Sequence, residues 1–180
     1  VTGVNIGTAS PSQRCEISGC YFTNTGATTT SVGIYVNSAS LVRVSECTFT
    51  NVDTPIRLGA STDHVTIENN EVTNDPGSGL YGVAADAASV SDNLTIDGLK
   101  INNLGNVTVP ICAGVSLNNC NNLNISNCKF VGIGTEAIAS VNGILLTDVM
   151  ANVNISNNQF RTFKALSACT GIKFDRTALA

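Results

Sequence analysis

The charged side chains best spaced for chemistry lie between residues 57 and 100: Glu68, Glu71, Asp97 and Lys100, with Arg57, Asp63 and His64 close by in sequence. Two carboxylates held about 5 Å apart, or about 6.5–9.5 Å apart, are what glycoside hydrolysis needs. Glu68 and Asp97 are the candidate catalytic pair, and Glu71, Lys100, Arg57 and His64 are candidate substrate contacts. A lyase would instead use a Lys, His or Arg base with a group that neutralises a uronate carboxylate, and Arg57 and Lys100 are the nominees. The bland reading is the heavier one. Thirteen acids scattered over an outer wall produce an adjacent pair by chance, and a lone His64 reads first as a turn residue. The seven cysteines and single histidine contain no C-x-x-C and no Cys/His cluster, so neither metal nor cofactor is implied.

Glu68 and Asp97 can only meet if the chain stacks on itself, and the sequence says that it does. NLNISNCKF (122–130) returns as NVNISNNQF (152–160). The same pattern runs through RCEISGCYF (14–22), LVRVSECTF (41–49), HVTIENNEV (64–72) and NLTIDGLKI (93–101). The anchors Ile17, Val44, Ile67, Ile96, Ile125 and Ile155 fall 23–30 residues apart, a period that signals a solenoid in which each repeat rests on its neighbours.

Within a copy, apolar residues alternate with polar ones, as in a strand with one buried face. Asn and Gly follow, which tolerate the left-handed backbone of a sharp corner. An apolar column comes next: Phe22, Phe49, Val72, Ile101, Phe130 and Phe160. A third short strand recurs as GIYV (33–36), PIRL (55–58), GVAA (82–85), GVSL (114–117), GILL (143–146) and GIKF (171–174). About six coils of three short strands, without a convincing helix, would stand about 30 Å tall. One slot holds Cys20, Cys47, Asn70, Leu99, Cys128 and Asn158. A small apolar thiol fits an inward corner, and an Asn there can bond to the Asn or backbone above and below.

This pattern resembles the right-handed parallel β-helix of the pectate-lyase-like superfamily, and most of all the β-helix segments of phage tailspikes and tail fibres. It covers residues 14–180, with residues 1–13 as a lead-in. The leucine-rich repeat shares L-x-L-x-x-N/C-x-L, but its Leu content and helical backs are missing here. The resemblance carries over no catalytic residue. There is no cluster of Asp calcium ligands with Arg-x-x-x-Arg, and no two acids are adjacent in sequence. The chain has no Trp, which weakens an extended sugar-stacking groove, and leaves Tyr21, Tyr35 and Tyr81 as platforms outside Phe.

Only 12% of residues are charged and 43% are hydrophobic, with a net charge of −4. Asn, Ser and Thr must therefore cover the surface. No basic stripe suits nucleic acid, and no apolar run suits a membrane span. Absent capping helices, signal peptide and initiator Met suggest a processed or excised piece. Cys15, Cys20, Cys47 and Cys128 fall on inward slots, Cys120 in a turn, and Cys112 and Cys169 two coils apart, too far to bridge. Reduced core thiols fit assembly in a reducing cytoplasm. Four N-x-S/T triplets, at Asn93, Asn106, Asn124 and Asn154, read as accidents of composition. Ala84, Ser116 and Leu145 form an outward column that would suit a subunit contact.

The resemblance implies a tailspike segment: a homotrimeric rod on a virion, acting outside the cell on host-surface polysaccharide, with depolymerisation as an added activity. A standalone polysaccharide lyase or glycoside hydrolase is the alternative, and a non-enzymatic adhesin a further one.

Overall fold

The computed structural model describes residues 2–7, 14–25, 31–75, 79–87, 89–105 and 111–175. Their regular elements are strands alone: β1 (Thr2–Gly7), β2 (Cys15–Ser18), β3 (Tyr21–Thr23), β4 (Val32–Asn37), β5 (Ser40–Ser45), β6 (Thr48–Thr50), β7 (Thr54–Leu58), β8 (Thr62–Glu68) and β9 (Glu71–Thr73). There follow β10 (Tyr81–Ala85), β11 (Ser91–Asp97), β12 (Lys100–Leu104), β13 (Ile111–Ser126), β14 (Lys129–Ile133), β15 (Ser140–Ser156), β16 (Gln159–Arg161) and β17 (Ala168–Asp175).

Every pairing is parallel and joins one coil to the next, so the strands stack into three walls. The first wall runs β2-β5-β8-β11 and continues into the later halves of β13 and β15. The second runs β3-β6-β9-β12-β14-β16. The third runs β1-β4-β7-β10, then the early halves of β13 and β15, then β17. The second wall has six strands, so five full turns separate its first rung from its last, close to the six coils expected. The anchor column stacks as its spacing requires: Val44 faces Ile67, which faces Ile96, then Ile125, then Ile155.

Corners follow from backbone chemistry. Gly19, Glu46, Asn69, Gly98, Asn127 and Asn157 all take positive φ between the first and second walls. A second left-handed column lies within the first-wall strands, near their starts at the corner from the third wall: Leu41, His64, Asn93, Asn122 and Asn152. Its amides form a ladder. Asn152 donates to Asn122, Asn122 to Asn93, and Asn93 to the Asp63 carboxylate.

The glycines that open the third-wall strands have a packing cause. A Cβ on Gly33 would lie 2.6 Å from the Phe49 ring, and one on Gly114 or Gly143 would lie 2.4 and 2.3 Å from Phe130 and Phe160. Each ring packs against the bare glycine backbone opposite. Phe22 and Phe49 then stack at 5.0 Å, and Phe130 and Phe160 at 5.2 Å.

The inward Cys/Asn slot is polar, and of the two partners expected for its amides, Asn or backbone, it uses the backbone. Asn70 accepts the Cys47 N–H at 2.9 Å and donates to Val44 O at 2.9 Å. Asn158 does the same with Cys128 N and Ile125 O. Both amides reach the backbone of the preceding rung, and neither bonds to another Asn. The thiols imitate part of this by donating to the carbonyl two residues back, Cys47 to Ser45 O and Cys128 to Ser126 O.

Several local expectations change. Residues 2–7, read as part of a lead-in, form β1 and pair with β4. Cys120, expected in a turn, is buried in β13, because this strand runs unbroken from the third wall to the first. Cys20 is exposed and Cys15 half-buried, because among the described residues their rung pairs on one side only. Leu145 and Ala84 are 8% and 9% exposed, so the outward column they share is recessed. Cys112 and Cys169 are separated by Val141, one full rung apart on either side, as expected. The triplet at Asn106 lies outside the described residues.

Candidate functional site

The expected acid pair does form a vertical neighbour. Glu68 stands in register with Asp97 on the first wall, and Glu71 with Lys100 on the second. Both central acids are already occupied. Glu68 accepts from Arg43 Nε at 2.6 Å and is also reached by an Arg43 terminal nitrogen, while the other terminal nitrogen binds Glu16 at 2.5 Å. Those carboxylates hold the Arg43 guanidinium above its ordinary range, the Glu68 hydrogen bond contributing most. Asp97 Oδ1 accepts from Ser126 Oγ and Asn127 Nδ2, each at 2.7 Å.

His64 sits at the edge of this wall, in β8 with φ +49, and not in a turn before it. Its Nδ1 is 2.8 Å from Asp63 Oδ1. The Asn93 amide first, and His64 second, hold the Asp63 carboxyl below its ordinary range. His64 thus ends a structural ladder. Arg57 is on the third wall, away from Glu68 and Asp97.

Arg57 belongs to a different cluster, which sequence reasoning did not assemble. Tyr35 and Arg57 are register partners on β4 and β7. Arg57 Nε donates to Asp86 Oδ1 at 2.5 Å, and Tyr35 Oη donates to Asp86 Oδ2 at 2.9 Å. The guanidinium carbon lies 5.6 Å from the centre of the Tyr35 ring, a cation–π contact. Burial, then the bond to Asp86, raise the Tyr35 phenol, partly offset by Arg57. Asp86 is pinned in turn: its carbonyl accepts from Asn118 Nδ2 and from Ser89.

This cluster edges a cleft of about 290 Å³ on the third wall, lined by Ser31, Asp53, Arg57, Tyr81, Ala84 and Asp86 among others. Asp53 is 5% exposed. Its Oδ2 accepts from Ser31 N and Ser31 Oγ, both at 2.8 Å, and its carbonyl accepts from Leu80 and Tyr81. Asp53 therefore ties three rungs together beneath the cleft floor. Burial raises the Tyr81 phenol. Among the described residues Arg57 uses only Nε on Asp86, which leaves its terminal nitrogens for a ligand.

Such a cleft can do what a sugar site does: present a planar cation, a fixed carboxylate and phenol groups in a recess with small Ala84 at its base. The signal was present in sequence as the outward column Asn5, Tyr35, Arg57, Ala84, but Asp86 and Asp53 lie just outside the strands, where spacing gives no phase. A larger groove of about 510 Å³ runs beside Asn103, Gly132, Glu136, Thr162 and Lys164. Among the described residues its one ion pair, Lys164 with Glu136, is 4.0 Å long and highly exposed on both sides, so it is less organised. Among the described residues no three His, Cys, Asp or Glu side chains converge to hold a metal.

The family model described as a right-handed beta helix region matches residues 2–175. Among solved structures, the surface protein and adhesin PfbA of Streptococcus pneumoniae is similar over 80% of this chain at 13% identity, with a TM-score of 0.34. The chain spans 50% of that structure's length, and the likeness is too distant to bear on function. No curated protein matches the sequence.

Proposed function

The chain belongs to the right-handed β-helix family, and from that premise we propose that it is an attachment module that binds a cell-surface polysaccharide on its third wall. The observation that carries this reading is the organised Tyr35–Arg57–Asp86 cluster beside a recessed cleft. The acid pair that the repeat spacing nominates, Glu68 and Asp97, is spent on Arg43, Ser126 and Asn127, which favours binding over catalysis. The setting we propose is a phage tailspike or tail fibre, where three copies form a rod exposed to the host surface. A second reading, depolymerisation, has one observation in its favour: Asp53 and Asp86 line the same cleft.

Two measurements test the proposal. Light scattering should give a mass near three times 18.6 kDa; a monodisperse monomer removes the trimeric spike and leaves a solitary adhesin. Titration against extracted bacterial surface polysaccharides should find a ligand whose affinity falls about tenfold or more in Arg57→Ala, the loss expected for a charged hydrogen bond, and is unchanged in Glu68→Gln. Equal binding by both variants sinks the cleft. Release of new reducing ends that stops in Asp53→Asn would establish the second reading.

A further inference from the structure

The inward slot that alternates Cys and Asn contains one place where two cysteines are stacked directly. Ser18 pairs with Ser45 and Tyr21 with Thr48, so Cys20 and Cys47 between them face each other across adjacent rungs. The Thr48 N–H donates to Cys20 O at 2.9 Å, which fixes that register at the cysteines themselves. Both thiols point the same way: Cys20 Sγ donates to Ser18 O at 3.4 Å and Cys47 Sγ to Ser45 O at 3.3 Å. Cys47 Sγ also reaches down to Ile17 O at 3.8 Å, toward the lower rung.

The other cysteines lack this arrangement. Cys128 has Leu99 below and Asn158 above; Cys15 faces Val42; Cys112 and Cys169 face Val141 from opposite sides; Cys120 faces Ser91 and Met150. Stacked strands put the two Cα atoms about 4.8 Å apart, inside the range for a disulfide. With parallel Cα–Cβ vectors the Cβ atoms also stand about 4.8 Å apart, just beyond the roughly 3.5–4.5 Å that a disulfide takes, so a bond closes only with local movement and stays reducible.

We propose that Cys20 and Cys47 are an oxidation site, left reduced during assembly and converted to a disulfide by a small disulfide oxidant once the protein is outside the cell. Cys20 is the exposed partner and Cys47 the buried one, which sets the order of events. The Cys20 thiolate attacks the oxidant, giving a mixed disulfide and releasing one thiol. Cys47, losing its proton, attacks Cys20 Sγ and expels the second thiol. Two protein thiols are oxidised, one disulfide molecule is reduced to two thiols, and two protons leave. The bond clamps the first two rungs across 27 residues (20 to 47). This inference is independent of the polysaccharide reading.

The test treats the intact chain with oxidised glutathione at mildly alkaline pH. Peptide mapping should recover a Cys20–Cys47 cross-link with two free thiols lost, and dithiothreitol should restore them. The melting temperature should rise by about 5–10 °C, the gain expected from closing a loop of this length in a chain of this size. Cys20→Ser, a change at an exposed position, should abolish both effects, and Cys128→Ser should abolish neither. Glutathione retained on Cys20 without a cross-link, a bond between chains, or a bond to Cys169 in its place would overturn the proposal.

Discussion

Asn70 offers the sharpest perturbation, because its amide is fully buried and its partners are main-chain groups. Its Oδ1 takes the Cys47 N–H at 2.9 Å, and its Nδ2 serves Val44 O at 2.9 Å and Glu68 O at 3.1 Å. Asn70→Ala leaves at least the Cys47 N–H and the Val44 carbonyl orphaned away from water. At roughly 1–3 kcal/mol for each orphan, the cost is about 4 kcal/mol. With a urea slope of about 2–3 kcal/mol/M, the midpoint should fall by about 1.5–2 M in a circular-dichroism titration. Asn70→Cys should recover part of that loss, because the thiols of Cys47 and Cys128 fill the same slot, donate to the carbonyl two residues back and reach weakly toward a carbonyl of the rung below. Cys128→Asn should be tolerated for the reciprocal reason. A midpoint for Asn70→Ala within about 0.3 M of the parent, or a Cys variant as damaged as the Ala one, would refute the shared-slot account.

Three further outcomes follow from the packing and the titrating groups. Gly114→Ala places a Cβ 2.4 Å from the Phe130 ring and 2.8 Å from Gly143 O; it should cost about 3 kcal/mol by denaturant titration, and Phe130→Leu in the same chain should recover part of it. Leu41 holds φ +57 while half exposed, in a column where later rungs use Asn; Leu41→Asn should stabilise the fold by about 1 kcal/mol in the same titration. Burial pushes the Cys112 and Cys120 thiols up to about 12 and Cys128 to about 11, from an ordinary value of 9.0. An acid raised in the fold loses its proton first in the unfolded chain, so stability is intact below about pH 9 and declines as pH climbs toward 11–12. At pH 10 the three thiols together should cost about 4 kcal/mol; a melting temperature unchanged between pH 7 and 10 would contradict their burial.

How much of this the sequence disclosed depends on whether a feature repeats. The Ile17–Ile155 and Phe22–Phe160 columns recur in every copy, so their stacking and the parallel coil were legible from spacing alone. The third strand is legible too in its later copies, but its first occurrence, GVNI at residues 3–6, precedes the first copy of the nine-residue pattern, so no anchor marks its phase. Cys120 was misplaced because Asn118–Asn122 resembles a loop, whereas β13 crosses that corner unbroken with a register shift between Asn118 and Cys120. The vertical Glu68–Asp97 relation was correct, and its occupation by Arg43 was not foreseeable, because Arg43 reaches diagonally to another rung. The cleft was least legible. Tyr35 and Asp86 lie 51 residues apart, and coil lengths that vary from 23 to 30 leave no fixed phase between a strand and the loop that folds back on it.

The most direct test of the binding wall is a hydrogen–deuterium exchange footprint of the chain with a polysaccharide ligand found by titration. The account predicts slowed exchange in residues 31–36, 53–58 and 80–87, with residues 64–72 and 93–101 unchanged. Protection centred on Glu68 and Asp97, with the third wall exchanging as in the free chain, would contradict it.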